Sequence, residues 1–416
     1  MPCLKTVRTF CVSVLCRRRA AAEPLPGRCR AAAEPLPSMM RWNSLLSKRH
    51  APVDASPDTG LRQIPLVMDV PVRYTHVIRK CTGRPMSPSA ETHSTPSIVL
   101  SDDAISRAAG LLRDGGLVAF PTETVYGLGG DACNADAVAA IFAAKGRPSF
   151  NPLISHIASV ADAFALGIET PLATALAHAF WPGPMTLILA RAADCPIARL
   201  TSAGLDHIAL RVPAHPAACR LLRAFGGPVA APSANPSGRI SPSRAEHVIA
   251  GLDGRIGMVL DGGPCNSGVE STVIDCTGEA ARILRPGGVT RGQVAACLES
   301  AGLQLVDTQP AAVSDAPVSP GMLASHYAPG AQLQMKVTTP DAGMELIGFG
   351  AVSGAGRLAL NLSPAGDLEE AAANLFDMLH AADATSAAVI GVAPVPDDGL
   401  GEAINDRLRR AAAPRG

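Results

Sequence analysis

The stretch from Ile98 to Ala132, reading IVLSDDAISRAAGLLRDGGLVAFPTETVYGLGGDA, places the tightest limit on what this chain can fold into. A short apolar segment leads into a pattern with Ile105, Ala108, Ala109 and Leu112 on one helical face. Gly115-Gly116 ends that pattern, and Leu117 to Phe120 is an apolar run of strand length. Strand, amphipathic helix and buried strand in that order form the unit from which layered α/β sheets are built. A second helix is expected from Asn134 to Lys145, with Ala137, Val138, Ile141 and Phe142 on one side. Further strands are expected at Met185 to Ala190, His207 to Val212, Val229 to Pro232, Met258 to Asp261 and Thr272 to Asp275. Residues 96–288 therefore read as one α/β sheet domain.

Residues 289–330 are richer in Ala, Pro, Ser and Gln; they hold one helix and the segment PVSPGMLASHYAPG, and they read as a linker with a lid. After it, 331–412 carry expected strands at Met344 to Gly348, Leu358 to Leu362 and Ala388 to Val392. Asp367 can cap a helix with Glu370 at its third position, and Leu400, Ile404 and Leu408 mark a last helix. A second, smaller α/β domain results. Residues 1–95 have a different texture. RAAAEPLP occurs twice, at Arg19 to Pro26 and Arg30 to Pro37, and no helical or strand period is sustained. The expectation for this segment is a disordered extension, or a stretch outside the native protein if translation begins at an internal methionine such as Met86. Its Arg-rich, acid-poor start also fits an organellar transit peptide.

Charge narrows the classes of partner. The formal net charge is zero, yet residues 1–95 hold 15 Lys/Arg against 6 Asp/Glu, leaving 21 against 30 in the remainder. An acidic body with 3% aromatics argues against a broad nucleic-acid footprint or a base-stacking platform, while leaving room for a concentrated basic pocket. No apolar run reaches the ~20 residues of a membrane-spanning helix. The eleven cysteines form no CxxC pair, so zinc and thioredoxin-like readings lack their spacing. Reduced thiols in a cytoplasmic protein are expected.

Three polar clusters interrupt otherwise apolar strand ends, where ligands sit in open α/β sheets. PTETVYGLGGDA (121–132) offers Thr122 and Thr124 beside glycines that permit close backbone approach; it matches neither the Walker pattern nor GxGxxG, and a purely structural strand-to-helix turn remains open. KGRPSFNPLISH (145–156) sends Lys145 and Arg147 from a helix end into a loop with Asn151 and His156. The two cations either complement the helix dipole or, with the amide and imidazole, suit a polyphosphate and a small polar substrate. AAPSANPSGRISPS (230–243) crowds Ser233, Asn235, Ser237 and Ser241 into a turn fit for phosphate, or into an ordinary Asn-Pro turn. Arg211 and Arg285 add cationic donors, and Ser271 and Thr272 add hydroxyls.

Taken together, PTETVYGLG, the K-x-R loop ending NPL-x-x-H, WPGPMTLIL, APSANPSG and SPGM-x-x-x-HYAP occur in one order. In that order they resemble the YrdC-like family that makes threonylcarbamoyl-AMP, in its longer two-domain form, across about 98–412. The resemblance implies a twisted mixed sheet around a basic cavity, a linker reaching across it, and a Rossmann-like second domain. The implied reaction joins L-threonine, bicarbonate and ATP into threonylcarbamoyl-AMP and pyrophosphate, with Mg²⁺ accompanying the ATP and no organic cofactor. Its product feeds a tRNA threonylcarbamoyl transferase that modifies the adenosine next to the anticodon.

Carried over by resemblance, Thr124, His156, Arg211, Ala231 and Ser271 form the threonine-binding set. Arg147, Asn151, His207, Ser233, Asn235, Ser241, Arg285 and Tyr327 form the ATP side, with Lys145 and Arg147 as the catalytic cations. His207 departs from the Thr or Ser usual at that position of the family. No metal ligand is expected from the chain. Two other classes stay in view. One is an RNA-binding YrdC-like module without synthase activity. The other is a carbamoyl-transfer enzyme of the hydrogenase-maturation type, whose CxxC clusters and acylphosphatase-like segment are not seen here.

Overall fold

The computed structural model describes residues 94–306 and 325–414, all within one compact unit, Met86–Gly416. The expectations for residues 1–93 and for the lid residues before Ser325 lie outside the described residues.

The chain opens with Ser97–Val99 (β1), Asp102–Arg113 (α1), Val118–Pro121 (β2), Tyr126–Asp131 (β3), Ala135–Lys145 (α2) and Ile154–His156 (β4). Val160–Leu166 (α3), Pro171–Phe180 (α4), Met185–Ala190 (β5), His207–Arg211 (β6), Pro216–Phe225 (α5) and Val229–Ala230 (β7) follow. Next come Ala245–Leu252 (α6), Met258–Asp261 (β8), Thr272–Asp275 (β9), Ala281–Arg285 (β10), Arg291–Ser300 (α7) and Leu305–Val306 (β11). These strands form one mixed sheet in the order β1-β8-β2-β3-β7-β4-β6-β5-β9-β10-β11. Beyond them, Gln332–Met335 (β12), Glu345–Ile347 (β13), Leu368–Ala384 (α8), Val389–Val392 (β14) and Gly401–Ala412 (α9) build a parallel sheet, β12-β14-β13. The expected two-domain α/β architecture is the observed one.

Local chemistry explains the helices. Ser101 caps α1 by accepting from the Ala104 amide, Asp102 and Asp103 sit at the positive end of its dipole, and Ala104, Ile105, Ala108, Ala109 and Leu112 are buried. Asn134 caps α2, and Gly146 ends it in the left-handed conformation at φ 60°. Asp367 caps α8 as expected, but Glu370 does not close a capping box. Its carboxylate takes the Ser363 hydroxyl, which in turn accepts the Asp367 amide.

Four local expectations change. PTETVYGLGGDA is a tight turn followed by a strand, β3, antiparallel to β2, and not a turn into a helix. Its glycines serve packing: a Cβ on Gly129 would lie 2.8 Å from the Phe120 ring and 3.0 Å from Val229 Cγ1. Any side chain there would push the sheet away from its neighbours. The KGRPSFNPLISH loop closes in a strand, β4, whose three residues alternate too briefly to show a period. Leu358 to Leu362 is irregular, with an isolated bridge from Asn361 to Gly348, and the strand beside β14 is instead β12, whose polar residues masked it. Finally, the helix expected within residues 289–330 is present as α7, but α7 and the strand β11 after it belong with the large sheet and are not linker. Thr290 caps α7 in a full capping box with Gln293, and β11 extends the large sheet beside β10.

The two sheets share an apolar seam. Val125, Ile240, Val269 and Tyr327 pack in the same core as Leu333, Ile347, Leu375, Phe376, Ile390 and Ile404. Gly268, at φ +65°, lets the chain run against the backbone of Ala372 and Ala373 in α8, where a Cβ would collide. Arg244 pairs with Asp377 at 2.6 Å and Arg291 with Glu402 at 3.2 Å across the same seam. The second domain is thereby pressed against the mouth of the large sheet.

Candidate active site

Strand β4 runs parallel to β6 in a register that sets His156 beside Arg211, and β7 pairs on the other side of β4. The strand ends, the turn at 122–125 and the turn after β7 therefore converge. Between them lies a cavity of about 560 Å³ counted to its open mouth. Of the expected residues, Thr124, Arg147, His156, Arg211, Ala231, Ser233, Ser271, Arg285 and Tyr327 line it.

Arg211 dominates one end. Its Nη2 donates to Glu123 Oε1 at 2.6 Å, Nη1 to Thr124 Oγ1 at 3.0 Å and Nε to the Gly183 carbonyl at 3.2 Å. Glu123 also accepts the Ala214 amide at 3.1 Å. Burial raises the Glu123 carboxyl pKa, but the charge and hydrogen bonds of Arg211 outweigh it and hold the group below its usual value. Ser271 shares a 2.8 Å hydrogen bond with Thr186. His156 is buried, and its Nδ1 has no hydrogen-bond partner among the described residues. Burial, with Arg211 nearby, pushes its pKa down to about 3, so the ring is neutral. An unpartnered buried polar atom on a cavity wall marks a place for a ligand group.

The other end is built differently. Arg147 donates to the carbonyls of Asn151 (3.2 Å) and Pro152 (3.0 Å). Burial, with Arg285 close by, lowers its pKa to about 10. Arg285 donates to Ser271 O at 2.8 Å and Ser271 Oγ at 3.1 Å. The Asn151 side chain is buried, and neither amide atom has a partner among the described residues. Tyr327 closes this end, held where the following Ala328 amide donates to Gly238 O at 2.8 Å.

Lys145, Asn151, Asn235, Ser241 and His207 do not line the cavity. Lys145 Nζ clasps the carbonyls of Ser233 (2.5 Å) and Asn235, and so shapes the SAN turn from behind. Burial, then the charge of Arg147, drives its pKa well below the usual lysine value. Asn235 Nδ2 donates to Pro236 O and Arg239 O, and Ser241 donates to Glu270 Oε1 at 2.5 Å. These residues brace the wall. His207 begins β6, four residues and about 13 Å of strand from Arg211, so the structure does not bring it to the cavity.

Residues 110–287 match the family model described as telomere recombination, and residues 289–413 match the model described as the threonylcarbamoyl-AMP synthase C-terminal domain. A threonylcarbamoyl-AMP synthase from Bacillus subtilis (strain 168) is 43% identical over 344 residues, 77% of this chain and 96% of its own. The chain belongs to the threonylcarbamoyl-AMP synthase family. A relative of the same name from Pyrococcus abyssi is 41% identical over 325 residues, 74% of this chain and 94% of its own. The solved structure of P. abyssi Sua5 complexed with L-threonine superposes with a TM-score of 0.68 at 38% identity, covering 76% of this chain and 97% of that one.

Within this synthase-family cavity, sequence reasoning passed over Glu123, Glu270 and His326, and named the Thr122 hydroxyl without giving it a role. Glu270, Thr122 and His326 line the space, and Glu123 orients Arg211 from just outside it. Glu123 and Glu270 lie inside motifs already singled out, PTETVYG and GVEST, but carboxylates beside an expected anion site carry no obvious signal. Among the described residues, no group of three or more His, Cys, Asp or Glu is placed to hold a metal ion, and no helix is long and apolar enough to cross a membrane.

Proposed function

We propose that this chain joins L-threonine, bicarbonate and ATP into threonylcarbamoyl-AMP and pyrophosphate. The observation that carries the reading is a single cavity with two unlike ends. At one, an arginine is balanced by its own carboxylate. At the other, Arg147 and, behind the wall, Lys145 meet neutral oxygens among the described residues. The first suits a zwitterionic amino acid and the second a polyphosphate.

At the balanced end, Arg211 keeps a guanidinium edge for the threonine carboxylate while Glu123, Thr124 and Gly183 hold its plane. The neutral His156 and the Ser271 hydroxyl offer hydrogen bonds to the remaining polar groups of threonine. The neutral threonine amine forms an N–C bond to bicarbonate carbon as water leaves, giving a carbamate. A carbamate oxygen then bonds to the α-phosphorus, the α–β phosphoanhydride bond breaks, and pyrophosphate departs with the electron pair. Arg147 and Arg285 face the charge that develops on the departing phosphates, and Lys145 fixes the turn that presents Ser233. Mg²⁺ would enter with ATP and would supply charge neutralisation on the phosphates; the cavity carboxylate Glu270 is already engaged by Ser241 and Arg407. Tyr327 covers the nucleotide and excludes water from the short-lived carbamate.

The same reading places the protein in the cytoplasm, handing its product to a tRNA threonylcarbamoyl transferase. The test is mass spectrometry of reactions containing ¹³C-bicarbonate. The reading requires a labelled product with the mass of threonylcarbamoyl-AMP, formed only with L-threonine and ATP together. ATP consumption with no labelled adenylate would refute it.

A further inference from the structure

Arg407 is a fully buried cation that the chemistry above does not use. It lies on α9, in the second domain, yet its side chain ends beside the cavity of the first. Nε donates to Glu270 Oε2 at 2.7 Å and Nη1 to Asp406 Oδ2 at 2.7 Å, while Nη2 has no partner among the described residues. Its guanidinium carbon stands 5.3 Å from the centroid of the Tyr327 ring. Glu270 and Tyr327 both line the cavity, one on its wall and one as its cover. The other Glu270 oxygen accepts from Ser241, in the turn that Lys145 braces.

Two features separate this arrangement from a plain domain tie. The seam already has Arg244–Asp377 and Arg291–Glu402, so Arg407 is not needed merely to hold the domains together. Tyr327 adopts φ +64°, a conformation that a bulky non-glycine residue keeps only when its surroundings insist. What insists is the packing around the ring: His326 edge-on at 4.1 Å between centroids, Phe376 of α8 tilted at 5.8 Å, and the Arg407 guanidinium over its face. A cation on an aromatic face, desolvated and paired with a carboxylate, orients both groups at once.

We propose that Arg407 is a positioning residue for the synthase site, fixing the Glu270 wall and the Tyr327 cover together so that closure over the nucleotide depends on the second domain. The proposal rests on the synthase reading for its kinetic arm and stands apart from it in its exchange arm. The kinetic arm measures pyrophosphate release by the full chain for wild type, Arg407→Lys and the double variant Arg407→Met/Glu270→Gln. The double variant removes both charges and leaves no buried carboxylate stranded, which guards against a folding failure of a single neutral substitution. KM for ATP should rise about 10-fold or more in Arg407→Lys, because lysine lacks the planar face. The melting temperature should stay close to wild type. A merely structural residue would lower the active fraction and leave KM unchanged, and that outcome overturns the proposal. The exchange arm follows amide hydrogen exchange of residues 325–330 in the presence of ATP. Faster exchange in Arg407→Lys than in wild type supports the proposal, and equal protection overturns it. A wild-type chain without threonine-dependent turnover would sink the synthase reading while the exchange arm still decides the role of Arg407.

Discussion

The two ends of the cavity solve the problem of burying a cation in opposite ways. Arg211 meets a carboxylate, Glu123, at 2.6 Å. Lys145 and Arg147, buried as deeply, meet only carbonyl and amide oxygens among the described residues. Desolvating a charge costs several kcal/mol unless something repays it. At the Arg211 end the protein repays it internally. At the other the debt stands, and it appears as lowered pKa values for both Lys145 and Arg147. A site left with uncompensated buried positive charge is one that an anion completes. On the proposed reading, this difference sends the polyphosphate to the uncompensated end and the amino acid to the Arg211 end.

The sharpest way to break this comparison is to remove a cation from the uncompensated end. Arg147→Ala should cut kcat/KM for ATP by about 10²–10³, as loss of charge stabilisation at a phosphoryl centre does. Its melting temperature should hold or rise, because a costly buried charge is gone. A large fall in stability with normal kinetics in the surviving folded protein would show that the cation is structural. Lys145→Met should lose about 10²-fold. Lys145 lies behind the wall, so its loss should appear in kcat and KM together as the Ser233 turn slackens; a change confined to kcat would place the lysine on the reacting atoms.

At the compensated end the expected effects are smaller. Glu123→Gln keeps the shape and removes the charge, so Arg211 loses its strongest anchor. KM for threonine should rise about 10-fold with KM for ATP within about 2-fold, read from initial rates with each substrate varied in turn. Equal effects on both substrates would mean that the two ends are not separable. The smallest effect is one of stability with pH. His156 has a folded pKa of about 3 against an ordinary 6.5, so between those values the unfolded chain binds the extra proton. Stability should fall as pH drops through that window, by about 1.4 kcal/mol per unit at most from this group. Urea midpoints from pH 7 to 4.5 should therefore decline more steeply in wild type than in His156→Gln. Parallel declines would contradict a neutral, buried imidazole. His326, also lowered by burial, contributes in the same direction and leaves a residual slope in the variant.

The sequence disclosed the parts of the fold with a long period. The helices α1 and α2 were legible because their apolar residues recur at helical spacing, and β5, β7, β8 and β9 were legible as short apolar runs without any period. The short strands β4 and β12, with polar residues among their three and four positions, offered no apolar run, and β3 hid behind glycines that serve packing. The site was legible where unusual residues cluster: Thr124, Arg147, His156, Arg211, Ser233, Ser271, Arg285 and Tyr327 do converge. What failed was distance along a strand for His207, and partnership for Lys145, Asn235 and Ser241, which brace the wall. Arg407 left a trace. It falls on the stripe of Leu400, Ala403, Ile404, Leu408 and Ala411 in α9, and a cation on an apolar helix face is an invitation to look for its carboxylate.

The most direct test of the two-ended cavity is pyrophosphate release from ATP by the wild-type chain, with L-threonine and bicarbonate omitted in turn. The account predicts that release requires both, since the polyphosphate end acts only on a carbamate assembled at the Arg211 end. Undiminished release without threonine would contradict it.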